Sequence, residues 1–224
     1  YATDIAKKND RLTIGNLDLK PEKNNYFSLS AEYVHERFSV SVNAFYNNIR
    51  DMIDYNTIAT GDKAMEQYGH KEVRQRDNIA EAKVHGINVS ANAYLGAGFN
   101  LSGGYTHLNT QDVELEQPID KSIKNAYNIN AQWAHSWKIY RLNINLNGRI
   151  NSKRFSKSYG YAPEYQLWDL NTRHSFNLKS VIIEPGFGME NLFDYMDDRP
   201  YNSNYATLTP GRSFYISLSL KFKS

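Results

Sequence analysis

The sequence predicts an all-β fold: an antiparallel transmembrane β-barrel, of which this chain supplies about nine strands. Three observations carry that prediction. The last stretch, Ser213–Phe222, puts Phe214, Ile216, Leu218, Leu220 and Phe222 at every second position, with Ser213, Ser217, Ser219 and Lys221 between them and Tyr215 as an amphipathic exception. Side chains alternate faces along a strand, so this segment has one oily and one wet face. About 10 such residues, tilted, cross a hydrocarbon layer. The same alternation recurs along the chain. Short and long connections also alternate, as in a meander with tight turns at one end and long loops at the other.

Residues 1–24 have no clean period and read as an ordered loop leading into a strand, with Pro21 biasing Lys20 towards an extended shape. The first strand sets Phe27, Leu29, Ala31 and Tyr33 against Ser28, Ser30 and Glu32. After a turn at His35-Glu36-Arg37, the second sets Phe38, Val40, Val42, Ala44 and Tyr46 against Ser39, Ser41, Asn43 and Asn47, with Phe45 out of pattern. Residues 59–76 read as a long polar connection. The third strand alternates Ile87, Val89, Ala91, Ala93 and Leu95 with Asn88, Ser90 and Asn92, and Gly96-Ala97-Gly98 supplies a tight turn. The fourth carries Phe99, Leu101, Gly103 and Tyr105, and residues 109–124 are again a polar connection.

In the fifth strand, Tyr127, Ile129, Ala131 and Trp133 oppose Asn128, Asn130 and Gln132, and a turn is expected at His135-Ser136. The sixth is the longest clean case: Tyr140, Leu142, Ile144, Leu146, Gly148 and Ile150 against Arg141, Asn143, Asn145, Asn147, Arg149 and Asn151. Residues 152–164 read as a loop. The seventh strand sets Trp168, Leu170, Thr172, His174 and Phe176 on one face; the eighth does so with Ile183, Pro185, Phe187 and Met189. A long loop over residues 194–211 precedes the last strand.

Composition narrows the function classes. Net charge is +2, so bulk attraction to nucleic acid is not expected. With no cysteine there are neither disulfides nor thiolate metal sites. Mean hydropathy is −0.65, and no apolar run is long enough for a membrane-crossing helix, whereas barrel strands escape such averages. Tyrosines number 17 against 10 Phe and 3 Trp, a surplus suited to a membrane–water interface. A soluble β-sandwich would bury the same apolar faces and wet the polar ones, so it stays open as the fold-level rival; the short-turn, long-loop asymmetry and the aromatics near strand ends favour the barrel. Nine strands would leave two open edges, which lipid does not tolerate, so the remaining strands are expected on preceding sequence.

At Gly15-Asn16-Leu17-Asp18-Leu19-Lys20-Pro21-Glu22 the chain resembles the TonB-dependent outer-membrane receptors, with Leu17 where that family commonly has Pro. Two further stretches agree: Asn43-Ala44-Phe45-Tyr46-Asn47-Asn48-Ile49-Arg50-Asp51-Met52-Ile53, and Glu190-Asn191-Leu192-Phe193-Asp194 with Tyr205, Pro210-Gly211-Arg212 and the final strand to Phe222. The resemblance implies a barrel of about 22 strands around a plug, with residues 1–224 as its C-terminal portion, in the bacterial outer membrane and with a periplasmic C-terminus. It implies TonB-coupled uptake of a scarce nutrient, an iron complex (haem or a ferric siderophore) first, with cobalamin or glycan uptake and a passive porin as alternatives. Its implied partners are the TonB–ExbB–ExbD complex, its own plug domain, outer-membrane lipid and lipopolysaccharide, and optionally a surface lipoprotein. No intrinsic cofactor is expected.

No catalytic constellation is present, and no enzymatic activity is expected; His107 beside Asn109 comes nearest to one, without a serine to complete it. The candidate ligand-binding residues lie in the long connections. Imidazole can ligate iron and a tyrosine can ligate haem, which singles out Tyr68 and His70. Arg74 and Arg76, with Lys71, could meet carboxylates of haem or of an anionic siderophore. Tyr159, Tyr161 and Tyr201 suit stacking on a planar ligand. Arg141 and Arg149 are expected to meet carboxylates such as Glu184 or Glu190, or those of a plug.

Overall fold

The computed structural model describes residues 5–6, 10–197 and 207–223. Its elements in chain order are β1 (Ile5–Ala6), β2 (Arg11–Ile14), β3 (Lys23–His35), β4 (Phe38–Thr60), α1 (Gly61–Tyr68), β5 (Glu72–Gly96), β6 (Phe99–Asp112) and β7 (Asn125–Trp137). There follow β8 (Tyr140–Asn151), β9 (Arg154–Ser156), β10 (Gly160–Ala162), β11 (Tyr165–Asn177), β12 (Val181–Glu190) and β13 (Ser213–Phe222). They form two compact units. Unit 1 comprises Tyr1–Phe27, Tyr46–Val84 and Thr110–Pro118; unit 2 comprises Ser28–Phe45, His85–Asn109 and Ile119–Ser224.

Unit 2 is the expected meander, with strands β3, β4, β5, β6, β7, β8, β11, β12 and β13 each beside the next. The registers keep apolar residues opposite apolar ones: Leu101 faces Ala131, Trp133 faces Ile144, and Phe187 faces Ile216. The apolar face is not covered: Ile216 and Phe222 are each 82% exposed and Leu95 65%. Only Ala162 and Leu167 are buried hydrophobic side chains among the described residues of this unit. A sandwich would bury this face; a barrel wall presents it to lipid.

The other face is stitched by amides and hydroxyls. Asn130 Nδ2 donates to Asn147 Oδ1 at 2.6 Å, Thr106 Oγ1 donates to Asn88 Oδ1 at 2.9 Å, Asn43 Nδ2 donates to Ser30 Oγ at 2.7 Å, and the Ser41 and Ser90 hydroxyls lie 2.7 Å apart. Such groups satisfy one another across strands, so a polar face without a dry core is physically sound. Tyr215, the exception to the last strand's alternation, lies on Gly188 directly across the ladder and donates its hydroxyl to Asn171. A Cβ on residue 188 would run into the outer end of the Tyr215 ring, so the ring keeps this place only over a glycine.

Several expectations are corrected. No turn forms at His135-Ser136: β7 continues to Trp137 and the turn falls at Lys138-Ile139, because His135 is held in the strand between Trp133 and Trp137, with ring centroids 6.0 and 4.4 Å away. These rings continue through Trp137–Tyr140 (5.5 Å) and Tyr140–Phe176 (5.0 Å), an aromatic belt at the short-turn end. The loop at residues 152–164 contains the hairpin β9–β10, pairing Tyr161 with Phe155. Glu184 pairs with Lys221 at 2.6 Å rather than with Arg141 or Arg149. His107 Nδ1 lies 2.8 Å from Asn125 Oδ1, while Asn109 lies 3.1 Å from His85 Nε2, so the nearest approach to a catalytic pair is not formed.

In unit 1 the polar connection at residues 59–76 is structured. Strand β4 runs on to Thr60, α1 follows, and β5 already begins at Glu72. Ala64, Met65, Glu66 and Gln67 favour helix, Asp62 sits in the first turn where negative charge is favourable, and Ala64 is fully buried. Gly69 ends the helix at φ 70°, ψ 19°, its N–H donating to Met65 O at 2.9 Å; only a residue without Cβ takes this left-handed position cheaply. The first residues are more than a loop, because β2 pairs in parallel with β5, from Arg11 opposite Glu72 to Ile14 opposite Gln75. Ala64, Val73 and Ala82 are the buried hydrophobic side chains here among the described residues.

Candidate ligand site

Of the charged side chains that the sequence singles out in residues 68–76, Arg74 and Arg76 lie on one strand of unit 1. Because β5 already begins at Glu72, Glu72, Arg74 and Arg76 share a face, while Val73 turns the other way and is fully buried. Glu72 is the hub. Its Oε2 accepts from Arg11 Nε at 2.8 Å, and its Oε1 accepts from Arg74 Nε at 2.5 Å. These two charge-assisted bonds, that from Arg74 first, hold the Glu72 carboxyl below the usual carboxylate range against the smaller opposing effect of desolvation.

Both guanidiniums are held through Nε, which leaves the outer edge of each fork unused by Glu72. Tyr55, on β4, lies between the two site arginines: its ring centre is 6.0 Å from Arg74 Cζ and 5.2 Å from Arg76 Cζ. Arg76 also donates from Nη2 to the Tyr55 hydroxyl at 3.1 Å. A guanidinium over an aromatic face is attracted by the ring's negative π-cloud, so the phenol orders two like charges that would otherwise repel. Two guanidiniums thus share the Glu72 carboxylate while the third, Arg76, rests on Tyr55, so these four charged side chains carry surplus positive charge.

Tyr68, the last residue of α1, is half-buried. The His70 Nδ1 is buried and lies 3.3 Å from Asp10 Oδ1, without the alignment of a hydrogen bond. In unit 2, Tyr159 and Tyr161 are about half exposed on the β9–β10 hairpin, and Tyr161 makes an edge contact with Phe155 at 5.4 Å. Tyr201 lies outside the described residues. Among the described residues no group of three His, Asp or Glu could hold a metal ion.

Three contributors escape a reading of sequence alone: Tyr55, Glu72 and Arg11. Glu72 and Arg74 stand two apart, a spacing that marks a shared face once the stretch is taken as a strand. Nothing local announces Arg11, which arrives through parallel pairing across 61 positions of sequence.

Residues 5–192 match the family described as TonB dependent receptor-like, beta-barrel. A relative in Acinetobacter baumannii, described as a probable TonB-dependent siderophore receptor PiuA, is 28% identical over 162 residues, covering 65% of this chain and 21% of that protein. The ferric preacinetobactin receptor BauA from Acinetobacter baumannii superposes with a TM-score of 0.68 at 18% identity, over 90% of this chain and 30% of that one. The ferric enterobactin receptor PfeA from Pseudomonas aeruginosa gives 0.66 at 21% identity, over 94% and 33%. The copper transporter OprC gives 0.65 at 13%, over 92% and 32%. The chain therefore spans about a fifth to a third of the length of these relatives.

Proposed function

The chain belongs to the TonB-dependent receptor-like β-barrel family, and we propose that residues 1–224 are the C-terminal portion of an outer-membrane receptor for an anionic ferric siderophore. Barrels of this family reside in the outer membrane, and membership implies a plug domain and interaction with TonB. In this reading the ligand is caught at the outer mouth and passes inward when the energy-coupling complex pulls on the plug. The C-terminus lies in the periplasm.

The single observation that carries the ligand class is the guanidinium cluster on Tyr55. It offers oriented cations and no set of metal ligands among the described residues, which suits iron already wrapped in an oxygen-rich anionic chelator. Lys71, exposed beside the cluster, adds to its positive field. The siderophore arm is favoured over haem because the His70 Nδ1 is turned to Asp10, and because PiuA is described as a probable siderophore receptor and BauA and PfeA as receptors for ferric preacinetobactin and ferric enterobactin. Tyr68, Tyr159, Tyr161 and Tyr201 are proposed as stacking surfaces for the ligand.

The test is a fluorescence titration of the full-length receptor with a ferric tris-catecholate complex and, separately, with haem. Arg74→Gln and Arg76→Gln are each expected to weaken the ferric complex about 10-fold or more, as loss of a charge-assisted contact does. Wild-type affinity in both variants, or a preference for haem that His70→Ala abolishes, overturns the proposal.

A further inference from the structure

We infer that β2 and the motif at residues 15–22 form a strap that completes this anion site, and that Asp77 and Asn78 are the positioning residues that hold it; the inference rests on the reading of Arg74 and Arg76 above. A strand added in parallel has no hairpin to tether it to its neighbour, so its docking depends on the ladder and on clamps at its ends. Both ends are clamped. At the first, the N–H groups of Lys71 and Glu72 donate to Asp10 O at 3.1 and 3.3 Å, and Arg11 meets Glu72. Midway, Gln75 Nε2 donates to Gly15 O at 3.3 Å.

The second clamp is built from two consecutive residues of β5. The Asp77 carboxylate accepts from Asn16 Nδ2 at 2.5 Å on one oxygen and from Asn56 Nδ2 at 3.0 Å on the other. The Asn78 carboxamide acts like a strand residue towards Lys20, accepting its N–H at 2.7 Å and donating to its carbonyl at 2.9 Å. The same amide nitrogen also donates to Asp51 O at 2.6 Å, at a residue whose φ of 58° turns that carbonyl out of the ordinary ladder. Within the motif, Asn16 Oδ1 accepts the Asp18 N–H at 2.8 Å, and Glu22 Oε1 accepts the Ile53 N–H at 2.8 Å. The side chains of Asn16 and Glu22 are thereby spent on holding the strap, which Asp18 and Lys20 join through their backbones.

The placement of these anchors gives the strap its consequence. Glu72 and Asn78 stand at the two ends of a run of β5 that carries Arg74 and Arg76 between them. With the strap docked, Arg11 is the third guanidinium of the cluster and Glu72 fixes Arg74. With the strap released, Arg11 leaves and Glu72 is free to neutralise Arg74 through both oxygens. Strap docking therefore raises the affinity of Arg74 and Arg76 for a polyanion.

The experiment is a double-mutant cycle in the full-length receptor, with the ferric tris-catecholate complex as probe. Asn78→Ala and Arg11→Gln are each expected to raise Kd about 10-fold. The double variant should lose little more than the larger single loss, because a released strap no longer brings Arg11 to the site. Hydrogen exchange at residues 11–14 should quicken in Asn78→Ala, in a receptor that still shows the heat-modifiable migration of a folded barrel. If Asn78→Ala does not assemble, Asn16→Ala, which removes the bond to Asp77, is expected to act in the same direction with a smaller loss. Wild-type affinity in Asn78→Ala, or losses that simply add, overturns the inference. Should Arg74→Gln and Arg76→Gln weaken binding while the strap variants do not, only the strap falls. Should the arginine variants also bind normally, the site reading itself falls.

Discussion

The two units use the same kind of strand for opposite ends. Unit 2 is held by backbone ladders whose side chains repeat with little variation: apolar residues exposed on one face, linked carboxamides and hydroxyls on the other. Unit 1 buries a few small side chains, Ala64, Val73 and Ala82, and is tied together by contacts between residues far apart in sequence, such as Arg11 with Glu72 and Asn16 with Asp77. The difference teaches where specificity can reside. A wall in lipid must satisfy every backbone group within the sheet, which leaves its side chains generic. A region that meets water can place charged side chains, and there each one differs from its neighbours.

The largest effect expected from breaking this contrast is in the wall. Leu218→Arg, on the exposed apolar face of β13, should destabilise the assembled barrel by about 2–4 kcal/mol, read as a lower urea midpoint in lipid vesicles. Charge added on the exposed face of unit 1, as in Ile58→Arg, should cost far less; equal losses would mean that the apolar face does not meet lipid.

A smaller effect is expected at Gly188→Ala, where the new Cβ must push the Tyr215 ring aside and its hydroxyl away from Asn171. A loss of about 1–3 kcal/mol should appear in the same denaturation, with affinity for the ferric tris-catecholate probe unchanged.

Smallest is a pH effect confined to unit 1. The Glu72 carboxyl is held below its ordinary value, first by the bond from Arg74 and then by that from Arg11. A carboxylate depressed in the folded state contributes stability that is fully present above its unfolded value and is lost as pH falls through the folded one. Strap docking should therefore be flat near neutrality and weaken on acidification below the ordinary carboxylate range. The mobility of a spin label at Thr13 would report it, and Glu72→Gln should remove that acid limb.

Much of the wall was legible because a period of two survives any environment. The bounds of β8 and β13 fall where alternation of Tyr140 to Asn151 and of Ser213–Phe222 places them. The His135-Ser136 turn was misplaced because a histidine and a serine look like turn formers, whereas stacking between Trp133 and Trp137 keeps the strand going. The site was legible only in part. Arg74 and Arg76 are conspicuous as charges, but residues 59–76 have too little apolar content to show a period, so their shared face with Glu72 was hidden.

The sequence by itself determined that the chain alternates, that its short and long connections alternate too, and that one face of each strand is fit for lipid. These properties depend on side-chain order along a single strand. Tertiary structure alone decided that residues 11–14 return to pair in parallel with β5, that Asp77 and Asn78 receive the Gly15-to-Glu22 motif, and that Tyr55 lies between two arginines. Those contacts join residues far apart in the chain, so no local pattern encodes them, and they can form because the cost of closing such a distance grows only slowly with chain length.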